Sequence, residues 1–301
     1  MINKALLLLI LLCPILSSAQ QYVDVADLSY SKTGATTYRN TDRNTVISIF
    51  DSKILLPIIL NEKTAIVSGF DFNIKNFQLV PDSNFNTLYY TRLKLGFNSK
   101  HSDKWSGLYV LLPILSSDYK NLGLDDVYIG GIALMTYKKN KNFNYKFGLY
   151  AGNEASGFYI TPLVGIYYRN PSASFEISAL IPGLFDVNYG LSPSTRIGLD
   201  YKGNSETFKI HNENSPLTYI ENNTLEFSSY LQNNSWTKNL LLRLKIGIAT
   251  NTYDQYAVSD KIDLAITPIR IGDNRTKLNT NLNSGAFVRI QAIYRFPISP
   301  K

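Results

Sequence analysis

The chain has 301 residues, a formal net charge of +7, 13% aromatic and 18% charged residues, and one cysteine. With a mean hydropathy near zero, that balance excludes a disordered chain and a helical membrane protein built of long uncharged stretches. The cysteine, Cys13, lies in a segment expected to be removed, so disulfides, thiol nucleophiles and thiolate metal sites are excluded from the remainder.

Met1 to Lys4 carries one positive charge, Ala5 to Leu16 is apolar throughout, and Ser17-Ser18-Ala19 follows. This is the order of a secretory signal peptide, with cleavage before Gln20; residues 1–19 form the leader and 20–301 a single domain. A membrane anchor is the rival, but the apolar run falls short of the roughly 20 residues a spanning helix needs. Lipidation at Cys13 would want a small residue where Leu12 stands, and Pro14 follows.

Past the leader, the longest apolar runs are Ile54 to Leu60 and Leu108 to Leu115, each broken by a proline. What dominates instead is alternation with period 2. After a first strand over Tyr22 to Tyr30, Thr91, Leu93, Leu95 and Phe97 interleave with Arg92, Lys94 and Gly96. The pattern recurs at Phe143 to Tyr150, Ile197 to Lys202, Leu240 to Ala249 and Phe287 to Phe296. A soluble sandwich also alternates, but these apolar faces are as long as a tilted strand of ~9–11 residues crossing a bilayer. Tyr89, Tyr90, Trp105, Tyr137, Tyr168, Tyr201, Trp236, Tyr253, Tyr294 and Phe296 sit near strand ends, where interfacial girdles want them. Glycines such as Gly96, Gly148, Gly165, Gly198 and Gly247 fall on the polar face, where an inward Tyr150, Tyr159 or Tyr230 would cover them.

Energetics assign the faces. An Arg or Lys facing lipid near the midplane costs roughly 2–4 kcal/mol, so Arg243 and Lys245 turn inward. Short turns are expected at Asn61 to Lys63, His101 to Lys104, Lys139 to Asn142, Asn170 to Ser172, Gly203 to Ser205 and Asn233 to Trp236. Longer polar connections are expected at Lys32 to Arg43, Pro81 to Asn84, Ser116 to Leu124, Gly183 to Ser192 and Thr252 to Asn281. These predict an all-β fold, a closed antiparallel transmembrane β-barrel of about 14 strands, or 12 if one hairpin is dropped, with both termini in the periplasm.

The chain resembles the small Bacteroidota-type outer-membrane β-barrel families of unknown function. The segments carrying the resemblance are Ile54 to Pro57, Trp105 leading to Leu112-Pro113, Asp125-Asp126, Leu180 to Pro182 and the end Tyr294-Arg295-Phe296. It implies a fold and an outer-membrane location but no site. Such barrels often end on an aromatic residue, whereas here Pro297 to Lys301 follow Phe296.

The chemistry of an active site is not visible. His101 and His211 read as a turn residue and a solvated loop residue, and no nucleophile elbow, Walker or dinucleotide motif accompanies them. Asp254, Asp260, Asp263 and Asp273 lack the spacing of a calcium loop and read, like Asp125-Asp126, as solvated or facing lipopolysaccharide. Lys138, Lys139 and Lys141 read as a wet turn, not a nucleic-acid patch. No catalytic residue, cofactor or metal is expected; the partners are membrane lipid, lipopolysaccharide and, during export, assembly machinery and periplasmic chaperones.

The lumen is the remaining candidate. It should receive Arg92, Lys94, Lys146, Arg196, Asp200, Lys202, Glu226, Arg243, Lys245, Arg289 and Arg295, with cations in excess. Either these fill the barrel, giving a structural or binding component of the outer membrane, or they line a narrow passive channel preferring small anions. A lipid hydrolase is the third reading. About 14 strands lie between filled eight-stranded barrels and open porins, so strand count does not choose.

Overall fold

Leu242, Leu244, Ile246 and Ile248 point away from the protein, with the last three more than half exposed, while Arg243 and Lys245 between them turn inward. Repeated around the molecule, that alternation makes the wall. The computed structural model describes residues 22–211 and 216–297. The expected leader, the tail beyond Pro297 and the neighbours of His211 at 212–215 lie outside the described residues.

Fourteen strands form the barrel. They are β1 (Tyr22–Thr33), β2 (Ser48–Ile59), β3 (Thr64–Phe77), β4 (Asn86–Lys100), β5 (Trp105–Ser117), β6 (Val127–Asn140) and β7 (Phe143–Glu154). β8 (Gly157–Arg169), β9 (Phe175–Ile181), β10 (Leu184–Gly190), β11 (Thr195–Ile210), β12 (Thr218–Asn233), β13 (Leu240–Ala257) and β14 (Gly285–Pro297) follow. Each pairs antiparallel with its sequence neighbours, and β14 closes on β1 from Tyr22↔Pro297 to Thr33↔Phe287. Closure leaves the barrel no free edge.

Both ends of the barrel chain, Tyr22 and Pro297, lie at the rim with the short turns. Five expected turns fall there, between β2 and β3, β4 and β5, β6 and β7, β8 and β9, and β12 and β13. The sixth is misplaced. Gly203 to Ser205 is the middle of β11, paired residue for residue with Leu225 to Asn223. Gly203 stands there because the β9–β10 turn comes close: a Cβ would lie 2.8 Å from the Pro182 carbonyl oxygen, and the Gly203 N–H donates to the Gly183 carbonyl at 2.8 Å. The true turn is 191–194, closed by the Leu191 N–H on the Thr195 carbonyl at 2.9 Å. The expected long connection from Gly183 to Ser192 is accordingly β10, hydrogen-bonded on both sides despite its turn-forming residues.

Apolar side chains face outward on successive strands: Leu28 on β1, Leu56 and Ile58 on β2, Leu93 and Leu95 on β4, Val288 and Ile290 on β14. At the turn rim an aromatic band runs from Trp105 to Tyr137 (4.9 Å between ring centroids), then to Tyr145, Phe143, Tyr168 and Phe175. Inward glycines make room for inward tyrosines. A Cβ on Gly198 would lie 2.4 Å from the Tyr230 ring, and one on Gly130 would lie 3.0 Å from Tyr150.

The opposite, loop end departs from a simple barrel. β11 to β13 are the longest strands, with 16, 16 and 18 residues, and their far ends are buried on both faces. Thr207 and Lys209 on one side of β11 are as inaccessible as Phe208 on the other. Lys209 bridges to Ser117 of β5, across the barrel. These ends therefore fold in over the mouth. The expected loop after Thr252 begins five residues later, because β13 continues to Ala257; it then carries a ribbon, Ile262–Ile266 with Ile269–Ile271, whose first strand lies parallel to β8.

Candidate functional site

The barrel interior is a ladder of charges cross-linked between strands. Arg289 on β14 grips Glu226 on β12 with both terminal nitrogens, at 2.7 and 2.8 Å. Arg295 grips Asp24 at 2.6 and 3.1 Å and lies 3.5 Å over the Tyr22 ring. Asp71 takes Arg92 and Lys94 together, and Lys245 bonds Asp200. Arg243 is 3.4 Å from Asp186, donates to Gln232 at 2.8 Å and stacks 4.4 Å over Tyr230. Charge-assisted bonds such as these are the strong ones in a low-dielectric interior.

The candidates from sequence alternate with exposed apolar residues and so share the inner face. Arg196 is saturated by Asn188 at 2.6 Å and by the Ala173 and Ser174 carbonyls. Lys146 and Lys202 have no ion-pair partner among the described residues. The expected excess of cations is corrected: Asp24, Asp51, Asp71, Asp186 and Glu206 also face inward, and all but Asp51 are in ion pairs. These acids follow the alternation of β1, β2, β3, β10 and β11, and the turn-forming residues of β10 conceal Asp186.

Two compartments result. In mid-barrel a cavity of about 230 Å³ is lined by Asp27, Asp51, Lys53, Lys202 and Arg289 among others, and reaches Ser178 and Leu184 beside the β9–β10 turn. Toward the loop end the interior is filled by side chains. Tyr38, Phe77, Leu88, Tyr90, Ile114, Phe208, Ile220 and Tyr253 pack into one buried cluster, with Phe77 and Tyr253 ring centroids 4.1 Å apart. Tyr90 and Tyr253, expected in interfacial girdles, are thus plug residues. Between chamber and plug, Lys75 bonds both Glu206 and Asn222.

The loop after β13 is latched over this plug. Glu221, fully buried on β12, is held by Arg270 and by Arg275, the latter at 2.6 Å. Arg275 also bonds the Tyr219 hydroxyl at 2.9 Å and lies 4.2 Å over Tyr256. Its guanidinium holds the Asp273 carboxyl at about 2. Asp254 pairs with Lys277 at 2.8 Å, and the Asp260 carboxylate accepts from the Thr276 N–H at 2.7 Å.

His211 is not a solvated loop residue. It sits between two carboxylates, Nδ1 3.1 Å from Asp118 and Nε2 3.3 Å from Asp126. Asp126 itself is fully buried, while Asp125 is exposed; the pair therefore does not read as one solvated rim. What places Asp126 inside is the Gly123 N–H, which it accepts at 2.8 Å. His101 stays at its turn, 3.3 Å from the Tyr109 hydroxyl.

The family model described as Domain of unknown function (DUF6268) matches residues 16–262. The chain belongs to this family. No curated protein matches it. Among solved structures, an outer-membrane channel from Pseudomonas putida F1 is 9% identical with a TM-score of 0.46, covering 94% of this chain and 99% of its own. The P. putida toluene transporter TodX is 10% identical with a TM-score of 0.36, covering 91% and 90%. The NanC porin is 9% identical with a TM-score of 0.35, covering 89% and 98%.

Proposed function

We propose that this DUF6268 protein is an outer-membrane barrel of a gram-negative bacterium, of the Bacteroidota type by its resemblance. It is exported by the leader at 1–19 and closed toward the outside, serving as a binding component and not as a standing pore. The apolar belt and aromatic rim support membrane residence, since a soluble protein rarely exposes so much contiguous apolar surface. Lipid and lipopolysaccharide are the partners of that belt, and the assembly machinery and periplasmic chaperones those of its insertion. The observation that supports the closed reading is the buried cluster of Phe77, Tyr90, Phe208 and Tyr253 toward the loop-end mouth.

Purified protein in planar bilayers should be silent. Steady ohmic current from the unaltered barrel would overturn the reading. A second reading, passage of small solutes, is favoured by the chamber itself, which lies behind a plug made of strand ends. Pairing of the inward cations weakens the anion preference expected from a cationic ring. Replacing Phe77, Tyr90, Phe208 and Tyr253 together by alanine should then produce current with little selectivity by charge.

A further inference from the structure

The mid-barrel chamber holds charges that the ladder leaves over. Arg243, Lys245 and Arg289 line it with their acids Asp186, Asp200 and Glu226 already engaged. Asp27, Asp51, Lys53 and Lys202 line it too, and among the described residues none of these four is in an ion pair. Asp27 stands directly opposite Lys53 in the β1–β2 register, yet its carboxylate takes the Gln291 amide at 2.8 Å. Asp51 takes the Asn73 amide at 2.6 Å. Lys202 stands opposite Glu226, whose two oxygens belong to Arg289.

The four lie within electrostatic reach of one another, Asp51 of both lysines and Lys53 of both carboxylates, without any pair in contact. The set is balanced, two cations and two carboxylates. A simple anion would satisfy the first pair and worsen the second, and a simple cation the reverse.

We propose that the chamber binds a small zwitterion, with an oxyanion received by Lys53 and Lys202 and a primary ammonium received by Asp27 and Asp51. The proposal rests on the reading of the interior as a binding chamber. A volume of about 230 Å³, against the roughly 150 Å³ of a cavity that holds benzene, is enough for an amino-acid-sized molecule. Because the acceptors need N–H donors, a quaternary ammonium fits worse than a primary one. A free ω-amino acid and a phosphoethanolamine head group share this chemistry.

Titration calorimetry on the full barrel in octyl glucoside tests it. The probes are the ω-amino acids from glycine to 6-aminohexanoate, glycerophosphoethanolamine, the trimethylated form of the best binder, butyrate and butylammonium. One zwitterion should bind once per barrel, at least about tenfold tighter than butyrate, butylammonium or its trimethylated form, a difference easily resolved. Whether an amino acid or glycerophosphoethanolamine wins identifies the source. Lys53→Gln and Asp51→Asn, checked for heat-modifiable migration, should each weaken binding about tenfold or more. Butyrate or butylammonium binding as well as any zwitterion, no heat from any probe, or unchanged binding in both folded variants would each overturn the proposal. The probe comparison on the unaltered protein decides even if a variant does not fold. A conducting barrel would overturn the closed-mouth reading and leave this titration intact.

Discussion

Along β13, Leu244, Ile246 and Ile248 face outward and Lys245 inward; farther along the same strand Tyr253 and Tyr256, on opposite faces, are both buried. The turn end of the barrel has lipid on one side and a polar lumen on the other, so each position has one meaning and a one-residue slip would invert all of them. At the loop end protein lies on both sides. There β11 to β13 fold over the mouth, and polar residues such as Glu221, Lys209 and Asn222 are enclosed with their partners. The two regions thus differ in what specifies them: the first is set by the solvent on each face, the second by pairings between distant segments.

Substitutions should separate these regions. Arg275→Ala takes from fully buried Glu221 one of its two guanidinium partners and leaves Arg270, so the cost should fall at or below the roughly 3–5 kcal/mol of breaking a buried ion pair from one side. Proteinase K should then cut within residues 258–284 while the remaining barrel keeps its heat-modifiable migration. Collapse of the whole barrel would show that the two ends fold as one unit. At the turn end, Ile246→Arg should cost roughly 2–4 kcal/mol in urea unfolding from lipid vesicles, because it places a charge on the lipid face. Lys245→Arg, which keeps a charge on the inner face one residue away, should cost less, and equal costs would contradict the assigned faces.

A subtler change probes the packing between inner glycines and tyrosines. Gly198→Ala puts a Cβ 2.4 Å from the Tyr230 ring, an overpacking worth roughly 1–3 kcal/mol. Tyr230→Leu in the same chain should recover part of that loss, as a double-mutant cycle in vesicles would show. The smallest effect is that of pH on the loop latch. Asp273 titrates at about 2 in place of 3.8, so its contribution is complete above pH 3.8 and disappears as pH falls through about 2. Hydrogen exchange at residues 269–275 should accelerate only in that acid window; a change between pH 5 and 8 would assign the latch to another group.

Much of the wall was legible beforehand because lipid is a uniform solvent. Alternation at Leu240 to Ala249 and Phe287 to Phe296 had to mean one apolar and one polar face, and the cost of exposing Arg243 to hydrocarbon chose between them. Strand number followed from six short turns, even though one was put at Gly203 instead of at 191–194. Both residue sets have turn composition. What distinguishes them is a partner: Gly203 pairs with Leu225 and receives the β9–β10 turn, while nothing in its own neighbourhood announces either. His211 and Asp126 were misread for the same reason, since the Asp118 that meets the histidine arrives from 93 residues away.

By itself, then, the order of residues determined the outward belt, the inward charges and the hairpin count, because each depends on a local period read against a fixed environment. Only the tertiary structure decided that the inward charges cancel in pairs, that Tyr90 and Tyr253 lie buried toward the loop-end mouth, and that Asp27, Asp51, Lys53 and Lys202 remain over in the chamber. Those outcomes depend on which strands barrel closure sets face to face across the lumen, a distance relation that no periodicity along the chain encodes.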